Sequence, residues 1–267
     1  MRDEHGDSGP ASLPEMELLV VGSGAAYPGR PGTASSCYVL LNGRAAICLD
    51  MGQGAFAGLA GRLEPADLAA VVVSHLHPDH FVDLVALRHY LRYEFDPPRR
   101  LRVIAPVGLA KRLDGVTGET DFAAGSLEIE DRAEGRVRVG PFLIESRRVT
   151  HTSDAFATRV TLADRTESPA LIYSGDCGRA SDLEPLIRPG DVLLCEVAFG
   201  PGPVPVPDLH LDGKAVGRLA TRSGVSRVLL THLQLHRDPA ATLTAVRAEY
   251  AGPLSLVSDG DRTAILG

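Results

Sequence analysis

Four potential metal ligands stand within six consecutive residues, and this segment constrains the chain more than any other feature. The segment Ser74–His80 follows directly after the apolar run Ala69–Val73. Imidazole and carboxylate groups are the ligands that hold divalent first-row metals. In an extended stretch, side chains two residues apart point to the same side, and a following turn lets the next ligands reach a second ion. The segment therefore predicts a metal site at the end of a buried strand, with four ligands: His75, His77, Asp79 and His80.

The composition is that of an ordinary globular protein. Of the 267 residues, 44% are hydrophobic and 23% are charged, so we expect residues 15–267 to form one domain with a sizeable core. Residues 1–14 are polar and lack the apolar segment of a signal peptide, which predicts a disordered N-terminal tail. The four cysteines show no paired spacing, and no apolar run approaches the length of a membrane span. These features predict a soluble, cytoplasmic protein without a membrane partner.

The order of apolar segments predicts the fold class. Cys37–Leu41 and Ala45–Leu49 read as two strands of a hairpin that turns at Asn42-Gly43. From Phe81 to Tyr93, apolar residues recur every three to four positions, which indicates an amphipathic helix. The chain continues with more strands and then alternates strands with helices. This order favours an α/β fold, an αββα sandwich in which two mixed β-sheets pack face to face with helices on the outer faces.

The ligand segment resembles a known family signature. His75–His80 is similar to the HxHxDH motif of metallo-β-lactamase fold hydrolases, and the remaining family ligands find matches just past later apolar strands. The resemblance spans roughly Leu18 to the C-terminus and implies the metallo-β-lactamase fold with two metal ions. It implies that one ion is held by His75, His77 and His151, that the other is held by Asp79, His80 and His232, and that Asp176 bridges them.

Three further segments resemble the ribonuclease Z and bacterial cyclic-nucleotide phosphodiesterase branch of this family. They are the Gly-rich opening at residues 22–40, the segment Leu194–Val197 and the segment Asp208–Leu211. The resemblance implies catalytic roles for Asp79, His210 and Glu196, with His210 assisting the leaving group. Taken alone, His210 also fits a surface histidine in a Pro-rich loop, and Glu196 also fits an orienting residue or a buried ion-pair partner.

The leading functional hypothesis is a phosphodiesterase that cleaves a small phosphodiester such as 3′,5′-cyclic AMP. Two metals in such a site share a bridging hydroxide that attacks phosphorus and clamp the oxygens of an in-line displacement. One alternative is a tRNA 3′-processing ribonuclease Z-like endonuclease, and another is a thioesterase- or lactonase-type hydrolase in a biosynthetic pathway. Only about 25 residues separate His151 from Asp176, which leaves little room for the tRNA-gripping arm of the ribonucleases.

The expected cofactors are two divalent metal ions. Zn²⁺ is the first expectation for a His/Asp ligand set, and Mn²⁺ or Fe²⁺ also suit it because metal availability helps decide occupancy. The net charge of −7 disfavours a long polyanion, so we expect a small-molecule substrate and no stable nucleic-acid partner. Dimers are common among proteins that this chain resembles, which makes a homodimer a further expectation.

Overall fold

The computed structural model describes residues 15–266, and the tail predicted at residues 1–14 lies outside the described residues. In chain order the strands are β1 (Met16–Gly22), β2 (Cys37–Asn42), β3 (Ala45–Leu49), β4 (Ala70–Val72), β5 (Leu101–Ala105), β6 (Leu127–Asp131), β7 (Gly135–Val139), β8 (Phe142–Val149), β9 (Ala155–Leu162), β10 (Leu171–Tyr173), β11 (Val192–Glu196), β12 (Arg227–Thr231), β13 (Leu254–Leu256) and β14 (Arg262–Leu266). The helices are α1 (Ala55–Ala60), α2 (Pro78–Phe81), α3 (Leu84–Tyr93), α4 (Leu109–Thr117), α5 (Gly213–Ser223) and α6 (Pro239–Arg247). None of the helices within residues 15–266 is long and apolar enough to cross a membrane.

The strands form two seven-stranded sheets, and both sheets are mixed. The first has the order β14-β1-β2-β3-β4-β5-β6, with parallel pairing from β3 to β6 and antiparallel pairing elsewhere. The second has the order β13-β12-β11-β10-β9-β8-β7, with parallel pairing from β10 to β13 and antiparallel pairing from β7 to β10. This architecture confirms the predicted αββα sandwich.

Three apolar clusters separate the layers of the sandwich. The central cluster lies between the two sheets, while the others pack α1, α3 and α4 on the first sheet and α5 and α6 on the second. Along β1, Leu18 and Val20 enter the central cluster, whereas Leu19 and Val21 enter an outer one. Successive side chains of a strand point to opposite faces, so a strand buried on both faces reads as a continuous apolar run.

Strand direction gathers several loops at one rim of the sandwich. β3 and β4 of the first sheet end at this rim, and so do β8, β10, β11 and β12 of the second sheet. Loops at the carboxyl ends of strands are where binding groups converge in α/β folds. The predicted ligands follow four of these six strands.

The hairpin of β2 and β3 is present, but its turn was predicted one residue too early. Asn42 pairs with Ala45, so the two loop residues are Gly43 and Arg44. Gly43 has a φ of 57°, and two-residue hairpin loops favour glycine where φ must be positive. The Asn-Gly pattern therefore identified the hairpin and misplaced its loop.

The helix predicted over Phe81–Tyr93 begins earlier and is split in two. α2 begins at Pro78, whose fixed φ suits the first position of a helix, and α3 begins only at Leu84. At the break, the Asp83 carboxylate accepts a hydrogen bond from the backbone N–H of Phe56 at 2.8 Å. This bond ties the break to α1, a long-range contact that helical periodicity does not reveal.

Gly52 marks a close approach between the first sheet and the ligand segment, because a Cβ there would overlap the carbonyl oxygen of Asp79. Gly52→Ala should displace this turn and lower the free energy of unfolding by about 1–3 kcal/mol, the usual cost of overpacking. Urea unfolding followed by circular dichroism measures the change. Gly61→Ala is the matched control, since the nearest atom would lie 3.6 Å from its Cβ. Equal destabilisation of the two variants would contradict the prediction.

Candidate metal centre

The seven side chains predicted as metal ligands lie in one cluster at the rim. Two of them follow β4, two lie in α2, and one each follows β8, β10 and β12. In that order they are His75, His77, Asp79, His80, His151, Asp176 and His232. The fold thus brings together residues that are up to 157 positions apart in the sequence. Their role as ligands stays a prediction.

Four of these residues form a first group with spacing suited to one ion. His151 Nε2 lies 3.3 Å from His77 Nδ1 and 3.9 Å from Asp176 Oδ2. His75 Nε2 lies 3.7 Å from Asp176 Oδ2. Two atoms that each bind a tetrahedral ion at about 2.0–2.1 Å lie roughly 3.4 Å apart. The observed separations are close to this value.

A second group is formed by Asp79, His80 and His232. Asp79 Oδ2 lies 3.5 Å from His80 Nε2 and 3.8 Å from His232 Nε2. Asp176 reaches this group too, with Oδ1 at 3.3 Å from His80 Nε2 and Oδ2 at 3.3 Å from His232 Nε2. Asp176 therefore borders both groups, which is the position that a bridging carboxylate requires.

Several buried atoms of the cluster have no hydrogen-bond partner. They are Nε2 of His75, Nε2 of His80 and Oδ1 of Asp176. Buried polar atoms are nearly always paired, so unpaired ones need an explanation. All three are nitrogen or oxygen atoms of the kind that coordinate divalent ions. The residues present therefore fit a metal centre.

The pKa values of three histidines and one carboxylate of the cluster favour the protonation states that bind a metal ion. Burial lowers the pKa of His75 well below its usual value and also lowers the pKa of His77 and of His151. A neutral imidazole is the form that binds a metal ion. Burial opposes ionisation of Asp79, yet the hydrogen bond and charge of His80 hold the pKa of Asp79 well below its usual range. Burial lowers the pKa of His80, but the charges of Asp176 and Asp50 raise it well above its usual value, so His80 must release a proton when it binds an ion.

Asp50 is a further residue of the site, and the sequence analysis missed it. This buried carboxylate accepts hydrogen bonds from Ser74 N at 2.6 Å, Ser74 Oγ at 2.7 Å and Tyr173 Oη at 2.6 Å. Its Oδ2 also lies 2.7 Å from His80 Nδ1, which leaves Nε2 of His80 for an ion. Asp50 directly follows β3, and this position at the end of a buried strand is the signal in the sequence that could have identified it.

The Gly-rich loop after β1 holds two members of the second group in place. His232 has a φ of 57°, a left-handed conformation that costs free energy in a residue other than glycine. Its backbone N–H donates to Ser23 O at 3.0 Å, and its Nδ1 lies 3.1 Å from Ser36 Oγ. The backbone N–H of Ala26 donates to Asp79 Oδ2 at 2.8 Å. The loop therefore orients two side chains of the cluster.

Glu196 and His210 form a pair beside the cluster. The buried Glu196 carboxylate accepts hydrogen bonds from the backbone N–H groups of Cys177 at 3.0 Å, Ala198 at 2.9 Å and Leu211 at 3.3 Å. Its Oε1 also lies 3.0 Å from His210 Nδ1. Burial by itself lowers the pKa of His210, but the hydrogen bond and charge of Glu196 raise it to about 8. We therefore treat Glu196 as a positioning residue for His210.

The segment that carries His210 is anchored at its neighbouring residues. Arg179 holds Asp208 through two hydrogen bonds, of 2.7 and 2.5 Å. The carbonyl oxygen of Leu209 accepts a hydrogen bond from His151 Nδ1 at 2.9 Å. Gly178 allows this approach, because a Cβ there would overlap the backbone of Asp208. The segment is thus fixed both to a predicted ligand and to the loop that carries Asp176.

Asp50→Asn removes the charge that faces His80 while keeping the size of the side chain, and asparagine tolerates the left-handed backbone of this position (φ 60°). We expect the affinity for Zn²⁺ to fall about 10–100-fold, as it does when outer partners of ligands are lost. Competition with a chromophoric chelator measures this affinity. Tyr173→Phe removes a single donor to Asp50 and should cost about fivefold or less. A loss of equal size in both variants would contradict the role assigned to the carboxylate.

Comparison with known proteins places the chain in a family. Residues 48–233 match the family described as beta-lactamase superfamily domain. An uncharacterised protein of Mycobacterium leprae is 28% identical over 96% of this chain and 91% of its own length. The metallo-beta-lactamase fold protein YhfI of Bacillus subtilis shares the fold with a TM-score of 0.82, at 21% identity over 93% of this chain and 98% of that chain. The short form of human tRNase Z follows with a TM-score of 0.69, at 19% identity over 93% of this chain and 99% of that chain.

The resemblance predicted from the sequence is thereby confirmed, and the chain belongs to the beta-lactamase superfamily as a metal-dependent hydrolase with ribonuclease Z-like relatives.

Proposed function

We propose that this protein is a phosphodiesterase that hydrolyses a small phosphodiester, with 3′,5′-cyclic AMP as the first candidate substrate. One observation carries the proposal, namely a histidine paired with a buried carboxylate at the edge of the metal-binding cluster. His210 Nδ1 lies 3.0 Å from Glu196 Oε1 and 3.9 Å from Asp176 Oδ2. Its ring is 5.2 Å from that of His151 and 5.9 Å from that of His232.

The seven clustered side chains would hold two divalent ions, with Zn²⁺ as the first expectation. Such ions supply Lewis-acid polarisation of phosphoryl oxygens and an activated water nucleophile. The protein fixes the cluster through Asp50, Ser36 and the loop after β1. Rigid positioning of this kind is what the in-line displacement at a phosphodiester needs.

His210 supports phosphodiester chemistry because of the leaving group involved. Cleavage of a nucleotide diester releases a ribose alkoxide, which is strongly basic and needs a proton as it departs. The Glu196 carboxylate engages Nδ1 of His210, which leaves the opposite nitrogen, Nε2, to donate the proton. A thioester releases a thiolate, and a thiol has a pKa of only about 8.5, so its departure needs less help from an acid. The pair therefore favours the phosphodiester over the thioester.

A ribonuclease Z-like endonuclease is the second candidate, and the fold shared with human tRNase Z favours it. The segment between His151 and Asp176 weighs against it, because β9 and β10 occupy much of this segment and both pair within the second sheet. A protruding arm would have to come from these residues. The net charge of −7 also opposes binding of a long polyanion.

The proposal predicts hydrolysis of 3′,5′-cyclic AMP by protein reconstituted separately with Zn²⁺ and with Mn²⁺. Asp79→Ala should abolish turnover because it removes a metal-binding carboxylate. His210→Ala should keep two metals per chain and lower kcat by about 10²–10⁴-fold, the usual contribution of a general acid. Turnover is followed by chromatography of AMP and metal content by mass spectrometry.

Bis(p-nitrophenyl) phosphate provides the matched control substrate, because p-nitrophenolate leaves without a proton. His210→Ala should retain most of its activity toward this substrate. Equal losses on both substrates, or loss of metal in this variant, would contradict the role of His210. If the metal-loaded protein cleaves precursor tRNA and not cyclic AMP, the second candidate replaces the first.

Arg179→Met should weaken the anchor of the segment that carries His210, since Arg179 holds Asp208 through two hydrogen bonds. We expect kcat for 3′,5′-cyclic AMP to fall about tenfold, with little change for bis(p-nitrophenyl) phosphate, because misplacing a general acid affects only the basic leaving group. Arg179→Lys keeps the charge and should restore part of the activity. A parallel loss on both substrates would indicate general structural damage instead.

A further inference from the structure

We propose that a groove beside the metal centre binds a second phosphate of the substrate, so that a nucleotide phosphodiester with an additional terminal phosphate is a better substrate than one, such as 3′,5′-cyclic AMP, that contains the reacting phosphate alone. This inference rests on the proposed function and adds the class of substrate. The groove runs between α4 and the loop that follows β8. We call it the α4 groove and define it by Leu76, Val107, Lys111, Arg112, Val116 and Ser153.

The α4 groove opens directly beside the predicted ligands. Leu76, which lines it, stands between His75 and His77 in the ligand segment. Ser153 lines the opposite wall and follows Thr152, whose Oγ1 lies 3.1 Å from His77 Nε2. The cavity has a volume of about 780 Å³, which is within the range of small-molecule sites. A substrate held at the metal centre can therefore extend into the groove.

The charge of the groove points to an anionic ligand. Lys111 and Arg112 stand on the exposed face of α4, and neither pairs with a carboxylate among residues 15–266. Asp154 on the other wall is already paired with Arg148. Many other exposed arginines do have partners, such as Arg222, which pairs with Glu184 at 2.7 Å. In a chain with a net charge of −7, two adjacent free cations beside the metal centre favour a phosphate.

The shape of the groove suits a nucleoside. Val107 and Val116 are 65% and 53% exposed, and they offer apolar contact to a sugar or a base. Gly115 lies within α4 and lines the groove, and no atom lies within 4 Å of where its Cβ would be. Glycine is unfavourable inside a helix, so its presence here keeps the groove wide at some cost to the helix. Apolar walls with two cations fit a phosphorylated nucleoside.

The test compares two dinucleotides that differ only in a terminal phosphate. Adenylyl-(3′→5′)-adenosine (ApA) contains the reacting diester alone, and its 5′-phosphorylated form (pApA) adds the second phosphate. We expect kcat/KM for pApA to exceed that for ApA about tenfold, since two exposed charge contacts act together. Lys111→Gln/Arg112→Gln should remove most of this preference. Arg44→Gln/Lys214→Gln changes the net charge equally at exposed residues outside the groove and should keep the preference.

A second variant tests the shape of the groove independently of its charge. Gly115→Leu favours the helix and therefore folds, but it adds a side chain to the groove. We expect it to raise KM for both dinucleotides severalfold. An unchanged KM for both would contradict the placement of the nucleoside in the α4 groove.

Binding measurements separate this inference from the proposed function. Calorimetric titration of Asp79→Ala with ApA and with pApA reports affinity without turnover. If the parent protein hydrolyses no phosphodiester while pApA still binds about tenfold more tightly than ApA, the proposed function fails and the phosphate site stands. If pApA and ApA bind and react alike, or if both double variants lose the preference equally, the phosphate site is overturned.

Discussion

The buried carboxylate of Asp50 ties together the parts from which the metal centre is built. It follows β3 of the first sheet and accepts hydrogen bonds from Ser74, just after β4, and from Tyr173 at the end of β10 in the second sheet. The same carboxylate meets His80 Nδ1 at 2.7 Å. One charged group therefore links the two sheets at their common rim and orients a predicted ligand. The geometry of the metal centre depends on the hydrogen bonds of Asp50, because a buried carboxylate is destabilising unless its oxygens accept hydrogen bonds.

Burial of this charge is balanced by a cation deeper in the sandwich. Arg132 is only 3% exposed, and it donates hydrogen bonds to Val73 O at 2.7 Å and to Ser146 Oγ at 3.1 Å. Burial lowers the pKa of Arg132 to about 10, while the negative charge of Asp50 opposes this change. The guanidinium remains charged at neutral pH. Val73 immediately precedes Ser74, so the same cation also fixes the strand end from which the ligand segment starts.

The sequence predicted the site best where ligands are close along the chain or directly follow apolar strands. The segment His75–His80 met both conditions, whereas His151, Asp176 and His232 were predicted from the family resemblance. Asp50 was missed although it also follows a strand, because it belongs to no cluster in the sequence and acts only through tertiary contacts. The split between α2 and α3 depends on a bond from Phe56 to Asp83, which periodicity does not encode. The α4 groove could not be predicted, since exposed residues such as Lys111 carry no pattern that marks a cavity.

The candidate site has two parts that differ in how strongly they are linked to the metal centre. The carbonyl oxygen of Leu209 orients His151, and the next residue, His210, pairs with Glu196, so the predicted proton donor and a predicted ligand share one short segment. A displacement of this segment would move the predicted proton donor and the predicted ligand together. This restricts how much the geometry of the metal centre can vary. The cations of the α4 groove have no such coupling, because they lie on an exposed helix face and make no ion pair within residues 15–266. Substrate preference can therefore change there while the metal centre stays intact, which is how one fold supports many hydrolases.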